Sequence, residues 1–190
     1  MTAPSVTPFA TRPAPIDGLV VITMKQVAED RGVVRELFRT SAMEQAGLHA
    51  GPWRQINVTQ TNRGAIRGLH GEAMTKLIAI VAGSAFGAYV DARAGSPSFG
   101  AVHTVELVPG TQVLVPAGVC NGFQSTSAQP SQYAYCFDAE WQPGMTGVAV
   151  NPLDPALAIP WPIAVDADDR MLVSAKDAGL PSFAEATANR

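Results

Sequence analysis

Histidine and cysteine are scarce in this chain. Its 190 residues include three histidines, His49, His70 and His103, and two cysteines, Cys120 and Cys136. Two cysteines are too few for a disulfide framework, and both read as buried thiols. Charge is thin as well: Asp, Glu, Lys and Arg make up 15% of the residues, the net charge is −3, and Lys and Arg never form a run. That pattern argues against nucleic acid and against an anionic membrane surface as partners. A locally basic pocket on an acidic protein still suits an anionic substrate. No apolar stretch reaches the length of a membrane span. The opening segment, MTAPSVTPFATRPAPIDG, has neither a basic start nor an apolar h-region. Residues 1–18 therefore read as a loose arm rather than a signal peptide, and the expected location is cytoplasmic.

What is present is apolar and richly punctuated. Hydrophobic residues make up 47% of the chain, with 17 glycines and 15 prolines. The length suits one domain, 1–190, with a single core. Short apolar runs alternate with turn signals, which favours many short strands over long helices. Strands are expected over 19–24, 33–38, 53–60, 76–82, 85–91, 102–107, 112–115, 132–138 and 147–150. The clearest hairpin joins 76–82 to 85–91 through Gly83-Ser84. Short helices fit 41–47 and 182–188. About nine or ten closely spaced strands predict an all-β barrel or sandwich.

Two features carry chemistry. In the strand 132–138, alternation puts Tyr133, Tyr135 and Phe137 on one face and Ala134 and Cys136 on the other. Two phenols in a barrel interior need polar partners, whether they form an aromatic core or line a pocket. His70 closes Arg67-Gly68-Leu69-His70-Gly71, and a histidine flanked by glycines at a strand end can face a cavity that a ligand approaches closely. Structural and catalytic roles both fit it. His49 and His103 read as surface or packing residues. His70 and Glu72 could supply two metal ligands, but no further histidine falls within 116–121, where small metal-holding barrels usually place one.

Several motifs in order resemble one family. Asp30-Arg31-Gly32 with Glu36 matches D-R-G…E, Gln55-Ile56-Asn57 matches Q-D-N, and Arg67-Gly68-Leu69-His70 matches R-G-L-H. Lys76-Leu77 matches K-L, and Asp91 with Gly95-Ser96-Pro97-Ser98-Phe99-Gly100 matches D-x-R-x-G-S-P-T-F-G. The stretch 116–123 matches P-x-G-x-x-H-G-F, 151–162 matches N-x-x-D-P…I-x-W-P, and Ser174-Ala175-Lys176-Asp177 matches S-x-K-D. The chain thus resembles the dTDP-4-dehydrorhamnose 3,5-epimerases over about 30–177.

The resemblance implies a cupin-type jelly-roll barrel, a homodimer and a cofactor-free reaction on a dTDP-4-keto-6-deoxy sugar. It aligns His70 with the base, Asp177 with the carboxylate behind it, Lys76 with the group near the ketone and Tyr135 with the proton-donating phenol. Arg31, Glu36, Gln55, Asn57, Arg67 and Lys176 align with substrate contacts. Three departures stand out. Asn121 replaces a histidine, Trp141 replaces a second tyrosine, and Gly71 replaces an aromatic, which is expected to open space beside the base. Asn121 and Trp141 are expected to touch the sugar. The expected function is epimerisation at C3 and/or C5. A single-carbon epimerase, or a nucleotide-sugar-binding cupin without catalysis, are the alternatives. With no histidine at 121, chelators should leave activity unchanged. Finding one bound ion per chain, with activity lost on its removal, would contradict this reading.

Overall fold

The computed structural model describes residues 3–188. In chain order its first strands are β1 (Ser5–Thr7), β2 (Ala10–Pro13), β3 (Val20–Thr23), β4 (Gln26–Glu29) and β5 (Gly32–Arg35), followed by helix α1 (Thr40–Gln45). Next come β6 (Gln55–Thr61), β7 (Ile66–Glu72), β8 (Lys76–Ala82), β9 (Ala85–Asp91) and β10 (Val102–Leu107). The series closes with β11 (Thr111–Val115), β12 (Val119–Ser125), β13 (Ser131–Phe137) and β14 (Gly147–Ala149), then the short helices α2 (Ala175–Ala178) and α3 (Phe183–Thr187). No helix among the described residues is long and apolar enough to cross a membrane.

The strands form three antiparallel sheets: β2-β3-β11-β8-β13-β6, β10-β9-β12-β7-β14, and a small β1-β4-β5 sheet. The two large sheets face each other as a jelly-roll barrel of the cupin type. Period-2 alternation decides what lies between them. Along β8, Ile78 and Ile80 point inward to meet Tyr89, Leu107, Val113, Phe123 and Tyr133, while Leu77 points outward beneath Met43 of α1. The outer face of the β9-β12-β7 sheet is covered by Leu157, Trp161 and Phe183 from the C-terminal segment. With both faces of β8 covered, its first five residues are all buried, which is why it reads as a continuous apolar run.

One irregularity positions the site. Between β7 and β12, Asn121 pairs with His70 and Phe123 pairs with Arg67, so Gly68 and Leu69 together oppose Gly122 alone. This is a β-bulge, and it shifts the alternation of β7 by one residue. Arg67 and His70, three apart, would otherwise face opposite sides, yet both line the same cavity. Glycine permits it. Gly68 has φ +119°, and a Cβ there would meet Gly122 Cα at 2.5 Å and the Asn121 carbonyl oxygen at 2.8 Å. A Cβ on Gly122 would in turn meet the Arg67 carbonyl oxygen at 2.7 Å.

The long D-x-R-x-G-S-P-S-F-G motif builds a loop around one carboxylate. Asp91, fully buried, accepts hydrogen bonds from Arg93 Nε and Nη2 at 2.8 Å and from the hydroxyls of Ser96 and Ser98 at 2.5 Å. Burial opposes ionisation of Asp91, but these bonds outweigh it and hold the carboxyl well below the usual range.

Three expectations need correction. The runs 76–82 and 85–91, expected to form a hairpin through Gly83-Ser84, are β8 and β9, but they do not pair: at that turn the chain crosses from one large sheet to the other, where β8 pairs with β11 and β13 and β9 pairs with β10 and β12. Within 1–18, read as a loose arm, β1 pairs with β4 and β2 pairs with β3; residues 1 and 2 lie outside the described residues. These strands are exposed edge additions, too short and too proline-rich to announce themselves. Gly71 opens no space beside His70: a Cβ there would meet Cys120 Sγ and the Gly118 carbonyl oxygen, both at 2.9 Å. It lies on the face of β7 turned away from the cavity.

Gly68→Ala should lower stability by at least about 2 kcal/mol, because neither backbone can retreat from the added methyl. Urea unfolding measures this, and a wild-type midpoint would show that the strands do not need the contact.

Candidate active site

A cavity of about 210 Å³ opens between the two large sheets, lined among others by Arg67, His70, Lys76, Asn121, Tyr135 and Asp177. His70 projects from β7 and Tyr135 from β13, so they approach the cavity from opposite sheets. Asp177 comes from α2. Ser174 caps that helix by accepting a hydrogen bond from the Asp177 N–H at 3.0 Å, which fixes the turn and aims the Asp177 carboxylate at the sheet.

His70 Nε2 lies 2.9 Å from Asp177 Oδ1. A carboxylate at that distance takes the Nε2–H and leaves Nδ1 as the unprotonated nitrogen. Burial opposes ionisation of Asp177, but the hydrogen bonds from His70, Ser174 and the Gly68 backbone outweigh it and hold the carboxyl below its ordinary range. The pair is an orienting carboxylate behind an imidazole, an arrangement suited to moving protons.

Lys76 is the most deeply buried charge on the cavity wall, 4% exposed. Its ammonium pairs with Glu72 and donates to the His70 carbonyl at 3.1 Å and to Asn121 Oδ1 at 2.7 Å. Burial would push the Glu72 carboxyl up, but the attraction of Lys76 and the hydrogen bond from it outweigh that, so it sits below its ordinary range. The aromatic residues of β13 form one wall. Tyr135 packs between Tyr133 and Phe137, with ring centroids 5.7 and 5.0 Å away, and Tyr133 stacks on Phe123 at 4.0 Å.

The remaining candidates spread outward. Trp141 and Lys176 line an adjoining recess that also reaches His70 and Glu72. Gln55 and Asn57 lie on β6, beside β13. The side-chain amide of Gln55 donates to Asn57 Oδ1 at 3.2 Å, and its Oε1 accepts from the backbone N–H of Trp141 at 2.7 Å. Arg31 and Glu36 are not on the cavity wall. Arg31 pairs with Glu29 in the β4-β5 hairpin, and Glu36 pairs with Arg39 and Lys25. His49 and His103 do not line the cavity either. No group of three His, Cys, Asp or Glu side chains among the described residues is placed to hold a metal ion. Sequence reasoning missed Glu72 as the partner of Lys76 and Tyr133 as a cavity residue distinct from Tyr135. The alternation of 132–138 carried the signal for Tyr133; nothing local carried it for Glu72.

A family model described as dTDP-4-dehydrorhamnose 3,5-epimerase matches residues 13–185. The chain belongs to the dTDP-4-dehydrorhamnose 3,5-epimerase family. Among curated members of this family, a dTDP-4-dehydrorhamnose 3-epimerase of Streptomyces niveus is 33% identical, the match covering 91% of this chain and 89% of the relative. A dTDP-4-dehydrorhamnose 3,5-epimerase of Pseudomonas aeruginosa is 32% identical, covering 93% and 97% respectively. The crystal structure of NovW, a 4-keto-6-deoxy sugar epimerase from the novobiocin biosynthetic gene cluster of Streptomyces spheroides, superimposes with a TM-score of 0.86 at 30% identity, covering 97% of this chain and 92% of that one.

Asp177→Asn should keep the geometry and lose activity by about 10²–10⁴-fold in kcat, since an amide neither fixes the His70 tautomer nor stabilises the imidazolium. Because the folded carboxyl is depressed, its contribution to stability is present above about pH 4 and is lost as pH falls through the lower folded value. The variant should therefore lose that part of the acid-side destabilisation. Unchanged kcat would make Asp177 a structural residue only.

Proposed function

We propose that this protein is a cofactor-independent isomerase that epimerises a dTDP-4-keto-6-deoxyhexose at C3 and/or C5 in deoxysugar biosynthesis. The observation that carries the reading is the His70–Asp177 pair facing Tyr135 across a cavity whose floor holds the Lys76 ammonium. Hydrogens on carbons 3 and 5 flank the C4 ketone and are the acidic ones. His70 Nδ1 takes such a proton, Asp177 stabilises the resulting imidazolium, and Lys76 faces the enolate oxygen. Tyr135 returns a proton to the carbon from the opposite face. Imidazolium and phenolate then reset by exchanging protons with solvent. Arg67, on the cavity rim, suits the diphosphate through paired hydrogen bonds.

The assembly that fits this reading is a homodimer. Arg31 and Glu36, aligned with nucleotide contacts, sit on a hairpin away from their own cavity, where they could serve a partner's. Val6, Val33 and Val34 of the small sheet and Ile56 and Val58 of the edge strand β6 are exposed apolar surface for such an interface. A cytoplasmic location fits a sugar nucleotide as substrate.

A second reading, epimerisation at C3 alone, is favoured by Trp141 in the place of a tyrosine at the recess beside His70 and by a relative named as a 3-epimerase. Incubation with dTDP-4-keto-6-deoxyglucose in D2O, followed by NMR of both carbons, tests both. Deuterium should enter carbon 3 at least, and His70→Ala should reduce exchange about 10²–10⁴-fold. Equal, fast exchange at both carbons removes the single-carbon reading. Absence of exchange with the sugar nucleotide bound leaves a binding module in place of an enzyme.

A further inference from the structure

Lys76 has no donor to spare in this structure. An ammonium carries three protons, and Glu72, the His70 carbonyl and Asn121 Oδ1 each accept one. A ketone oxygen can gain a Lys76 N–H only when one of these leaves. Glu72 is held by opposite charge, and the His70 carbonyl belongs to the backbone of β7. The Asn121 amide is neutral and on a side chain, so it alone is under neither constraint and leaves by a single side-chain rotation.

A second observation lies beside it. Tyr133 lines the same cavity and is 2% exposed, yet its buried hydroxyl has no hydrogen-bond partner. Buried hydroxyls are almost always satisfied, and one left alone carries an unrepaid desolvation penalty. Beside this hydroxyl lie the phenols of Tyr89 and Tyr135 and the Asn121 side chain, which is close enough to influence it but outside hydrogen-bond geometry.

We propose that Asn121 is an amide switch for the enolate oxygen and that Tyr133 is the positioning residue that holds it in its working orientation. In the free protein Asn121 turns Oδ1 to Lys76. When the C4 oxygen reaches Lys76 the amide rotates, Oδ1 accepts the Tyr133 O–H, and the Nδ2–H group faces the C4 oxygen beside Lys76. The developing negative charge then meets two donors, and the hydroxyl left unpaired in the free protein gains its acceptor. This rests on the epimerase reading above, because the displacing oxygen is that substrate's ketone.

A double-mutant cycle on solvent-deuterium exchange tests it. Tyr133→Phe keeps the ring stacked on Phe123 and should melt at or above the wild-type temperature, with KM within about twofold and kcat down about tenfold. Asn121→Ala should cost on the order of 10²-fold, as loss of one oxyanion donor does, and adding Tyr133→Phe to it should cost nothing more. As a second readout, the Asn121 side-chain amide NMR signal, identified by its loss in Asn121→Ala, should shift with dTDP-4-keto-6-deoxyglucose but not with dTDP alone. In Tyr133→Phe that shift should be absent. An active wild-type protein with additive losses, or an Asn121 signal indifferent to the ketone, overturns the switch alone. A wild-type protein without exchange overturns the epimerase reading, and the switch with it.

Discussion

The close approach of β7 to β12 at Gly68 and Gly122 is the constraint on which the site depends. A Cβ on Gly68 would fall on Gly122 Cα, and a Cβ on Gly122 would collide with the Arg67 carbonyl oxygen. The bulge that this permits turns both Arg67 and His70 toward the cavity and brings the Asn121 side chain into line with Lys76 on the opposite sheet. A cationic residue for the diphosphate and a base for the sugar thus share one short strand with no loop between them. Sites carried by strands hold their geometry better than sites carried by loops.

Burying charge in a barrel is costly unless each charge is paired. The molecule meets this condition at three buried ionic groups: Asp91 with Arg93 and two serines, Asp177 with His70 and the α2 cap, and Lys76 with Glu72. The first of these builds a loop, and the other two surround the cavity. Among the described residues, the buried polar atoms left without a partner are scattered: Trp53 Nε1, Thr59 Oγ1, His103 Nε2 and the hydroxyls of two tyrosines, Tyr89 and Tyr133, of which Tyr133 alone lines the cavity. Burial raises both phenols, so neither ionises under ordinary conditions. Each stays a neutral donor, which is the state the Asn121 switch needs of Tyr133.

Much of the fold was legible. Two apolar runs and a Gly-Ser turn marked β8 and β9, though not that the two join different sheets, and alternation marked Tyr133, Tyr135 and Phe137 as one face of a strand turned to the barrel interior. β7 and β12, which carry the most important side chains, were not read as full strands. Gly68, Gly71, Gly118 and Gly122 lower strand propensity, and only the packing of one strand on another reveals why glycine is there. Gly71 shows the same limit in reverse: as the neighbour of His70 it was expected to open space beside the base, but adjacent residues of a strand face opposite sides, and Gly71 packs on Cys120.

For the site, motif order along the chain named His70, Lys76, Tyr135 and Asp177 through resemblance to a family. Spacing alone would not have joined His70 to Asp177 across 107 residues. Composition, alternation and turn chemistry are local properties, so the sequence by itself determined an all-β barrel or sandwich with buried thiols and a short roster of reactive side chains. Which of these meet was decided by tertiary structure. The contacts of Lys76 with Glu72 and Asn121, the isolation of the Tyr133 hydroxyl and the distance of Arg31 and Glu36 from their own cavity all depend on sheet pairing and register, where a one-residue slip exchanges inside for outside.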